Sequence, residues 1–325
     1  MGTHDLRHRL VTTDPRLSVV IPAYNEAESL PELHRELVAV LDSLGHSFEV
    51  LFVDDGSRDG TDRVIESLCA ADPRTRGLLL HRNYGKSAAL ATGFKAVRGE
   101  FVCTMDADLQ DDPSELPRMF AALEDGLDLV SGWKVKRLDP ISKTLPSKLF
   151  NAVTSRVAGI RLHDFNCGFK LYRRDVVDSL EVYGELHRFL PALAHWQGFR
   201  VGELGVNHRA RKFGKSKFGA ARFINGFLDL LTAAFISTSA LKPLHVFGRI
   251  GLVFFLIGAA LGVWFIAQWA AGEPLRVRPL MLFAAASVLL SFQFVLMGLL
   301  GEMIAHLSAR ADYPVRRRFG FGDGA

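Results

Sequence analysis

The sequence predicts an α/β domain with a mainly parallel sheet, followed by two helices that cross a membrane. Up to about Val206, short apolar runs alternate with amphipathic stretches, which is typical of the strands and helices of such a sheet. From about Val246 onward, two apolar stretches follow each other, and each has roughly the 20 residues that a helix needs to cross a bilayer. The chain has 325 residues, which is long enough for both parts.

Five apolar runs predict the strands of the sheet. In chain order they are LSVVIPAYN, EVLFVDDGS, RGLLLH, FVCTMDAD and DLVSGW. Helices are predicted over residues 28–44, 87–97 and 113–123, the last with a proline in its first turn. Ligands of parallel sheets bind outside the carboxyl ends of the strands, so the polar residues at these ends predict the site. They are Asn25, Asp54, Asp55, Asp106 and Asp108.

The two apolar stretches lie within residues 246–271 and 280–304, and the short linker between them predicts a hairpin. Buried core helices are the alternative, but two such runs in tandem are rare in soluble domains. Trp264 and Trp269 lie near one end, where interfacial aromatic residues are expected. Basic residues are more frequent outside the hairpin than in its linker, so the positive-inside rule predicts that both termini are cytoplasmic.

Two further stretches are candidates for helices in the membrane interface. Residues 219–245 carry apolar positions on one helical face directly after a basic cluster, with an ordinary core helix as the alternative. Residues 141–160 mix basic and apolar residues around Pro146, which would interrupt a helix. An ordinary surface helix is an equal alternative for this second stretch.

Composition limits the function classes only loosely. The formal net charge of +4 and the pI near 9.0 fit a nucleic acid, a membrane lipid or a phosphorylated substrate. The three cysteines form no Cys-x-x-Cys pair, so they predict neither a zinc site nor a disulfide framework, and a reducing compartment fits them best. Residues 1–16 are polar, do not resemble a signal peptide, and are expected to be a flexible tail.

The segment TMDADLQDDP carries the chemistry that is easiest to interpret. Asp106 and Asp108 follow a strand directly, and carboxylates of this kind suit a hard divalent cation, Mg²⁺ or Mn²⁺. Mg²⁺ usually takes one or two carboxylates plus substrate phosphates, so a diphosphate ligand is also implied. An isolated Asp-x-Asp is more often a pair of solvated loop acids, but the strand-end position favours the metal site.

Six motifs in order, SVVIPAYNE, VDDGSRDGT, HRNYGKSAAL, TMDADLQDDP, DFNCGFKLYRRD and RKFGKSKFG, resemble family 2 of the inverting glycosyltransferases. Within that family the chain is similar to the polyprenyl-phosphate sugar synthases, such as the dolichol-phosphate mannose synthases. The resemblance implies a GT-A fold with a mixed, mainly parallel sheet over residues 17–218. With the patterns described above, the expected organisation continues with an interfacial helix over 219–245, two transmembrane helices over 246–306 and a cytoplasmic basic tail over 307–325.

The resemblance implies a role for each matching residue. A nucleotide sugar, linked to UDP or GDP, is expected to bind Pro22, Tyr24, Glu26, Val53, Asp55, Asp106, Ala107 and Lys134. Tyr24 would pack against the base, and Asp55 would read its edge. Asp108 and Gln110 are the implied protein ligands of Mg²⁺ or Mn²⁺.

The implied acceptor is a polyprenyl phosphate, undecaprenyl or dolichyl. Arg209, Arg211 and Lys217 are expected to hold its phosphate or the donor diphosphate, since arginine grips phosphate bidentately and lysine supplies a point charge. For an arbitrary basic run, a solvated loop or a contact with anionic lipid would be the alternative. Asp164, with Arg211 and Lys217, is the implied catalytic set. Whether Asp164 acts as a base or only orients substrate stays open, because a phosphate monoester is already largely a dianion at neutral pH.

The predicted function is therefore that of a hexosyltransferase in the inner or plasma membrane, with no role in nucleic-acid binding. The alternatives are transfer to another lipid or to a polysaccharide, and a non-enzymatic membrane scaffold with a degenerate domain. Asn83 and Lys86 either contact phosphate or cap the helix that follows them, and both readings stay open. No role is predicted for His187, and a homo-oligomer is left open.

Overall fold

A computed structural model of the chain describes residues 14–135, 151–209, 212, 243–272, 279–307 and 315–320. The chain divides into two compact units. One consists of Met1–Leu230 with Ala311–Ala325, and the other of Leu231–Arg310.

The first unit is built on an eight-stranded sheet with the order β7-β5-β6-β4-β1-β2-β3-β8. The strands are β1 Leu17–Ala23, β2 Phe48–Asp54, β3 Thr75–Leu80, β4 Phe101–Thr104, β5 Leu129–Lys134, β6 Lys170–Arg173, β7 Val201–Val206 and β8 Val315–Phe319. The pairs β1–β2, β1–β4, β2–β3 and β5–β7 are parallel, whereas β6 and β8 run antiparallel to their neighbours. The predicted mixed, mainly parallel sheet is confirmed.

Helices cover the sheet. They are α1 Leu30–Ser43, α2 Thr61–Ala71, α3 Lys86–Ala96, α4 Leu116–Glu124, α5 over 151–158, α6 Arg174–Ser179 and α7 Leu190–Trp196. The helix predicted over 113–123 begins as a 3₁₀ turn, Pro113–Glu115, and Asp112 caps this turn by accepting from the backbone amide of Ser114. A second 3₁₀ turn covers Leu186–Arg188.

The core lies between the central strands and the apolar face of α1. Leu30, Leu33, Leu37 and Leu41 recur at helical spacing, and all four are buried. They pack in one cluster with side chains of β1, β2 and β4, which holds the carboxyl ends of these strands together.

The last strand belongs to the first unit although it follows the apolar helices in the sequence. β8 pairs antiparallel with β3, and Phe319 lies opposite Gly77. Residues 307–325 were expected only to form a basic tail, so this edge strand is an addition to the sequence prediction. The chain therefore returns to the sheet of the first unit after its second apolar helix.

The second unit contains α8, Pro243–Ala270, and α9, Pro279–Leu307. Segments Leu244–Ala270 and Pro279–Gly301 are long and apolar enough to cross a membrane by length and composition. The two helices approach closely at Gly258, where an added Cβ would lie 3.0 Å from the Ala284 carbonyl oxygen, and Phe254 stacks on Phe294. The expected interfacial helix over 219–245 and the first half of the 141–160 stretch lie almost wholly outside the described residues, whereas α5 is helical as expected.

Candidate active site

A pocket of about 300 Å³ lies at the carboxyl ends of β1, β2 and β4. It is lined by Pro22, Ala23, Tyr24, Glu26, Asp55, Asn83, Gly85, Lys86, Ala89, Asp106, Ala107 and Asp108. The structure thus brings together most of the residues expected to bind a nucleotide sugar. Val53, Lys134 and Gln110 are not among the lining residues, and Arg211 and Lys217 lie outside the described part of the chain.

The turn after β1 shapes one wall of the pocket. Asn25 adopts a left-handed conformation with φ of 56°, which asparagine tolerates better than most residues. Its backbone amide donates to Ser57 Oγ at 2.8 Å, and its side-chain oxygen accepts from the Arg58 amide at 2.9 Å. The turn is therefore tied to the loop after β2, and Tyr24 is held partly exposed beside it.

Asp55, at the end of β2, is buried and anchors the start of α3. Its two carboxylate oxygens accept from the backbone amides of Tyr84 at 2.7 Å and Gly85 at 2.9 Å. Burial raises the pKa of Asp55, and these two hydrogen bonds oppose that rise without cancelling it. The carboxylate expected to read a base edge thus also fixes the loop that carries Lys86.

Asp106 and Lys86 form an ion pair inside the pocket. Burial raises the pKa of Asp106, but the ammonium groups of Lys86, Lys134 and Lys170 outweigh it and lower the pKa to about 2. Lys86 begins α3, where no side chain caps the helix through a hydrogen bond. Of the two readings left open for Lys86, the structure therefore disfavours capping and leaves its charge facing the pocket.

The Asp-x-Asp turn is strained at Leu109. This leucine is buried and has φ of 61°, a conformation that costs an L-residue about 1–3 kcal/mol and is concentrated at functional sites. The turn places Asp108 at the pocket wall, where one of its oxygens accepts from the Gln110 amide at 3.2 Å.

The oxygen donors available at this turn fit a hard divalent cation. Among the described residues, no cluster of three or more His, Cys, Asp or Glu side chains could hold a metal by itself. The carboxylate of Asp108 and the amide oxygen of Gln110 match a cation that completes its shell with phosphate oxygens and waters. Such a metal site would depend on a bound diphosphate.

Lys134 lies close to an acidic cluster that consists of Asp106, Asp108 and Asp111. Its Nζ is 3.8 Å from Asp111 Oδ1, and the Asp111 side chain is almost completely buried. Burial raises the pKa of Asp111 to about 6; Lys134 opposes this rise, and Asp106 and Asp108 add to it. Burial alone would lower the pKa of Lys134, but the surrounding acids raise it. The lysine is therefore charged and held against the cluster.

The segment HDFNCGFK packs directly against Asp106. Asp164 is buried, and its Oδ1 accepts from the Asn166 amide at 3.0 Å. The Gly168 carbonyl accepts from Thr104 Oγ1 at 2.7 Å. Lys170 donates to the Cys167 carbonyl, and burial lowers the pKa of this lysine. The sequence predicts neither Gly168 nor Lys170 as a site residue, although a glycine inside a recognised motif is a signal for close backbone approach.

His187 does not line the pocket but contacts α3, the helix that carries Lys86. Its ring Nδ1 lies 2.9 Å from Ser87 Oγ, and its backbone amide donates to the same oxygen at 3.1 Å. Burial lowers the pKa of His187 well below the ordinary range, and the positive charge of Lys86 adds to this effect. The neutral imidazole thus fastens the second 3₁₀ turn to α3.

The Arg209 side chain forms ion pairs with two carboxylates. Its guanidinium contacts Glu36 Oε2 at 2.5 Å and Asp112 Oδ1 at 2.8 Å, which ties the chain after β7 to α1. Lys212 similarly pairs with Glu32. The phosphate-binding role expected for Arg209 remains a prediction, and the observed pairs indicate that it would have to exchange partners to fulfil it.

The mixed sheet with a pocket at its strand ends is typical of transferases with the GT-A fold, and comparison with known proteins gives the family. The glycosyl transferase family 2 profile matches residues 18–181, and the GtrB C-terminal hairpin profile matches residues 242–307. The chain belongs to glycosyl transferase family 2 and is a glycosyltransferase.

Curated relatives match along most of their length. Undecaprenyl-phosphate 4-deoxy-4-formamido-L-arabinose transferase from Klebsiella pneumoniae is 38% identical over 311 residues, 93% of each chain. The protein of the same name from Shewanella sediminis is 38% identical over 308 residues, 93% of this chain and 90% of its own.

Solved structures match about 70% of the chain. Glucosyl-3-phosphoglycerate synthase from Mycobacterium tuberculosis, bound to Mn²⁺, UDP-glucose and phosphoglyceric acid, superimposes with a TM-score of 0.55. The match has 19% identity and covers 70% of this chain and 82% of that one. At this identity the likeness supports the GT-A fold alone.

Proposed function

We propose that this glycosyltransferase moves a sugar from a nucleotide sugar to a polyprenyl phosphate, with inversion at the anomeric carbon. The observation that carries the proposal is the pocket at the strand ends, which is lined by Asp55, by Asp108 and by the Asp106–Lys86 pair. Its relatives are undecaprenyl-phosphate sugar transferases over nearly the whole chain, which supports the lipid acceptor.

The nucleotide would lie along β1 and β2. Tyr24 is partly exposed at the pocket and offers a ring for the base, while Glu26 can accept from ribose hydroxyls. Asp55 would read the base edge, within a loop that it already holds rigid. A UDP- or GDP-linked donor fits this arrangement.

The diphosphate would lie over Lys86 and the Asp-x-Asp turn. Asp108 and Gln110 would hold Mg²⁺ or Mn²⁺, and the bound ion would offset charge on the departing nucleotide. Lys86 would add a second positive charge, while Asp106 keeps that ammonium in place.

Displacement would take place in a single step. An oxygen of the acceptor phosphate forms the new bond to the anomeric carbon as the bond to the donor diphosphate breaks. The acceptor is already largely a dianion, so it needs positioning more than deprotonation. Arg211 and Lys217 would hold this phosphate, and Asp164 would orient the sugar or a basic side chain near it.

The two apolar helices would anchor the enzyme in the bilayer that contains its acceptor. The strand β8 belongs to the same sheet as β1, so a chain anchored in this way would cross the membrane an even number of times between them. Together with the basic residues outside the hairpin, this favours a catalytic unit and both termini at the cytoplasmic face.

Membranes containing the full-length protein, incubated with radiolabelled nucleotide sugars and undecaprenyl phosphate, test the proposal. We expect metal-dependent label in the lipid fraction with one donor, and its loss in Asp108→Asn. Asp178→Asn is a matched control, because Asp178 is an exposed partner of Arg174 on α6. Label that appears only in another lipid or in polysaccharide would reject the acceptor, and full activity of Asp108→Asn would reject the metal assignment.

A further inference from the structure

We propose that Glu203, His163 and Trp133 form a clamp that positions Asp164 for the acceptor side of the reaction. None of the three is among the residues expected to bind substrate. The activity test of this proposal rests on the proposed function. The contacts of the clamp can also be followed by hydrogen exchange, which does not depend on activity.

Glu203 holds His163 at two points. Its Oε2 accepts from the His163 backbone amide at 2.7 Å, and its Oε1 contacts the ring Nδ1. Glu203 lies in β7, opposite Ser131 of β5, so its backbone is fixed by the sheet. One carboxylate thus determines both the backbone position of residue 163 and the orientation of its ring.

The ring of His163 is also stacked on Trp133. The ring centroids are 4.1 Å apart and the planes are inclined by 19°. In the sheet Trp133 lies opposite Gly205 of β7, the strand that also carries Glu203. The imidazole of His163 therefore contacts the Glu203 carboxylate of β7 and the Trp133 ring of the adjacent strand β5.

Two members of the clamp directly precede site residues. Trp133 precedes Lys134, and because side chains alternate along a strand, Lys134 projects to the opposite face, toward Asp111. His163 precedes Asp164, and Asn151 Nδ2 donates to the His163 carbonyl at 2.7 Å. The peptide leading into Asp164 is thus fixed on both sides.

The exposure of His163 indicates that the clamp acts on the position of Asp164 more than on the stability of the fold. The His163 side chain is 64% exposed, whereas that of Glu203 is 17% exposed. A polar contact to a side chain as exposed as His163 contributes little to the free energy of unfolding. Asp164, by contrast, is buried at 2% exposure, so small changes in its loop are transmitted to a confined carboxylate.

The test uses the full-length protein in membranes and compares Glu203→Ala with Glu203→Gln. The glutamine keeps an oxygen that can accept from the His163 amide, whereas alanine keeps none. We expect kcat to fall about 10- to 100-fold in Glu203→Ala, as for a misplaced catalytic group, with the donor KM unchanged. Glu203→Gln should retain most of the activity, and the Asp178→Asn control should match the wild type.

Hydrogen exchange provides a readout that does not depend on activity. The Asn166 amide donates to Asp164 Oδ1, so it reports whether the Asp164 loop holds its geometry. We expect faster exchange over residues 164–168 in Glu203→Ala and near-normal exchange in Glu203→Gln. If Glu203→Ala does not fold, His163→Ala removes the same ring contacts from the other partner and takes its place.

The outcomes separate the clamp from the proposed function. Wild-type protein that labels no polyprenyl phosphate would reject the proposed function, and faster exchange in Glu203→Ala would still support the clamp. Normal exchange and normal kcat in Glu203→Ala would overturn the clamp. A fall in activity that only parallels the loss of folded protein would also overturn it, because this would indicate a purely structural role.

Discussion

The backbone of Gly168 lies against the carboxylate of Asp106, so closely that a Cβ atom added at residue 168 would be 2.5 Å from Asp106 Cγ. Thr104 fixes the Gly168 carbonyl from β4, the strand that leads into the Asp-x-Asp turn. The acceptor-side motif and the donor-side acid are thus in direct contact, and their relative position depends on the absence of one methyl group.

We predict that Gly168→Ala displaces Asp106 and lowers transfer activity about 100-fold, while overpacking costs roughly 1–3 kcal/mol of stability. Radiolabel transfer and thermal unfolding measure the two effects. Gly262→Ala is the control, because an added Cβ there meets no atom within 4 Å. Normal activity in Gly168→Ala would mean that Asp106 can move without consequence.

Lys86→Met should weaken nucleotide binding. The methionine keeps an unbranched side chain but removes the ammonium that pairs with Asp106 and faces the pocket. Losing one charged contact to the diphosphate is expected to raise the Kd for UDP or GDP about 10- to 100-fold, measured by calorimetry. Lys95→Met, at an exposed position in the last turn of α3, is the matched control. Equal affinities would remove Lys86 from the donor site.

Glu49 should contribute stability that depends on pH. It is buried at the opposite end of the sheet and accepts from Ser18, Arg76 and Arg98. Burial raises the pKa of Glu49, but these partners outweigh it and lower the pKa below the ordinary 4.5. The contribution is therefore present above about pH 4.5 and is lost as the pH falls through the depressed pKa.

We expect Glu49→Ala to cost about 3–5 kcal/mol near pH 7, because it leaves the buried Arg76 without its carboxylate. The difference from wild type should shrink in acid, and thermal unfolding between about pH 3 and pH 7 would follow it. Asp42→Ala, which breaks an exposed pair with Arg74, should cost about 0–1 kcal/mol. A cost for Glu49→Ala that does not change with pH would contradict the assignment.

Arg209→Met should lower the melting temperature without raising the KM for polyprenyl phosphate. The reason is that the Arg209 guanidinium joins Glu36 of α1 to Asp112. Arg118→Met, at a more exposed arginine that pairs with Glu115, is the control. A raised acceptor KM with an unchanged melting temperature would instead support the phosphate-binding role predicted from the sequence.

The sequence predicts the central strands well, because strands buried on both faces are continuous apolar runs that end in polar residues. It does not predict β6, β7 or β8. β6 has only four residues, β7 contains two glycines, and β8 is VRRRF, an edge strand without an apolar pattern. Such strands are determined by pairing with the sheet, which a local pattern does not encode.

The acidic residues of the site can likewise be predicted from the sequence, since each follows an apolar run. The residues that they contact cannot be predicted in this way. Lys86 meets Asp106, Gly168 meets the same carboxylate, and Glu203 meets His163, and each of these contacts joins segments at least 20 residues apart. Motif resemblance identifies the motifs, but only packing determines which of their side chains touch.

The edge position of β8 has a practical consequence for protein engineering. A fragment that stops before the hairpin, made to obtain a water-soluble enzyme, would discard a strand of its own sheet. The uncovered edge of β3 would then present unpaired backbone donors and acceptors, which invite aggregation. Rejoining VRRRF to the truncated chain through a flexible linker would restore the edge strand. We expect the solubility of such a fragment to depend on this strand as much as on removal of the apolar helices.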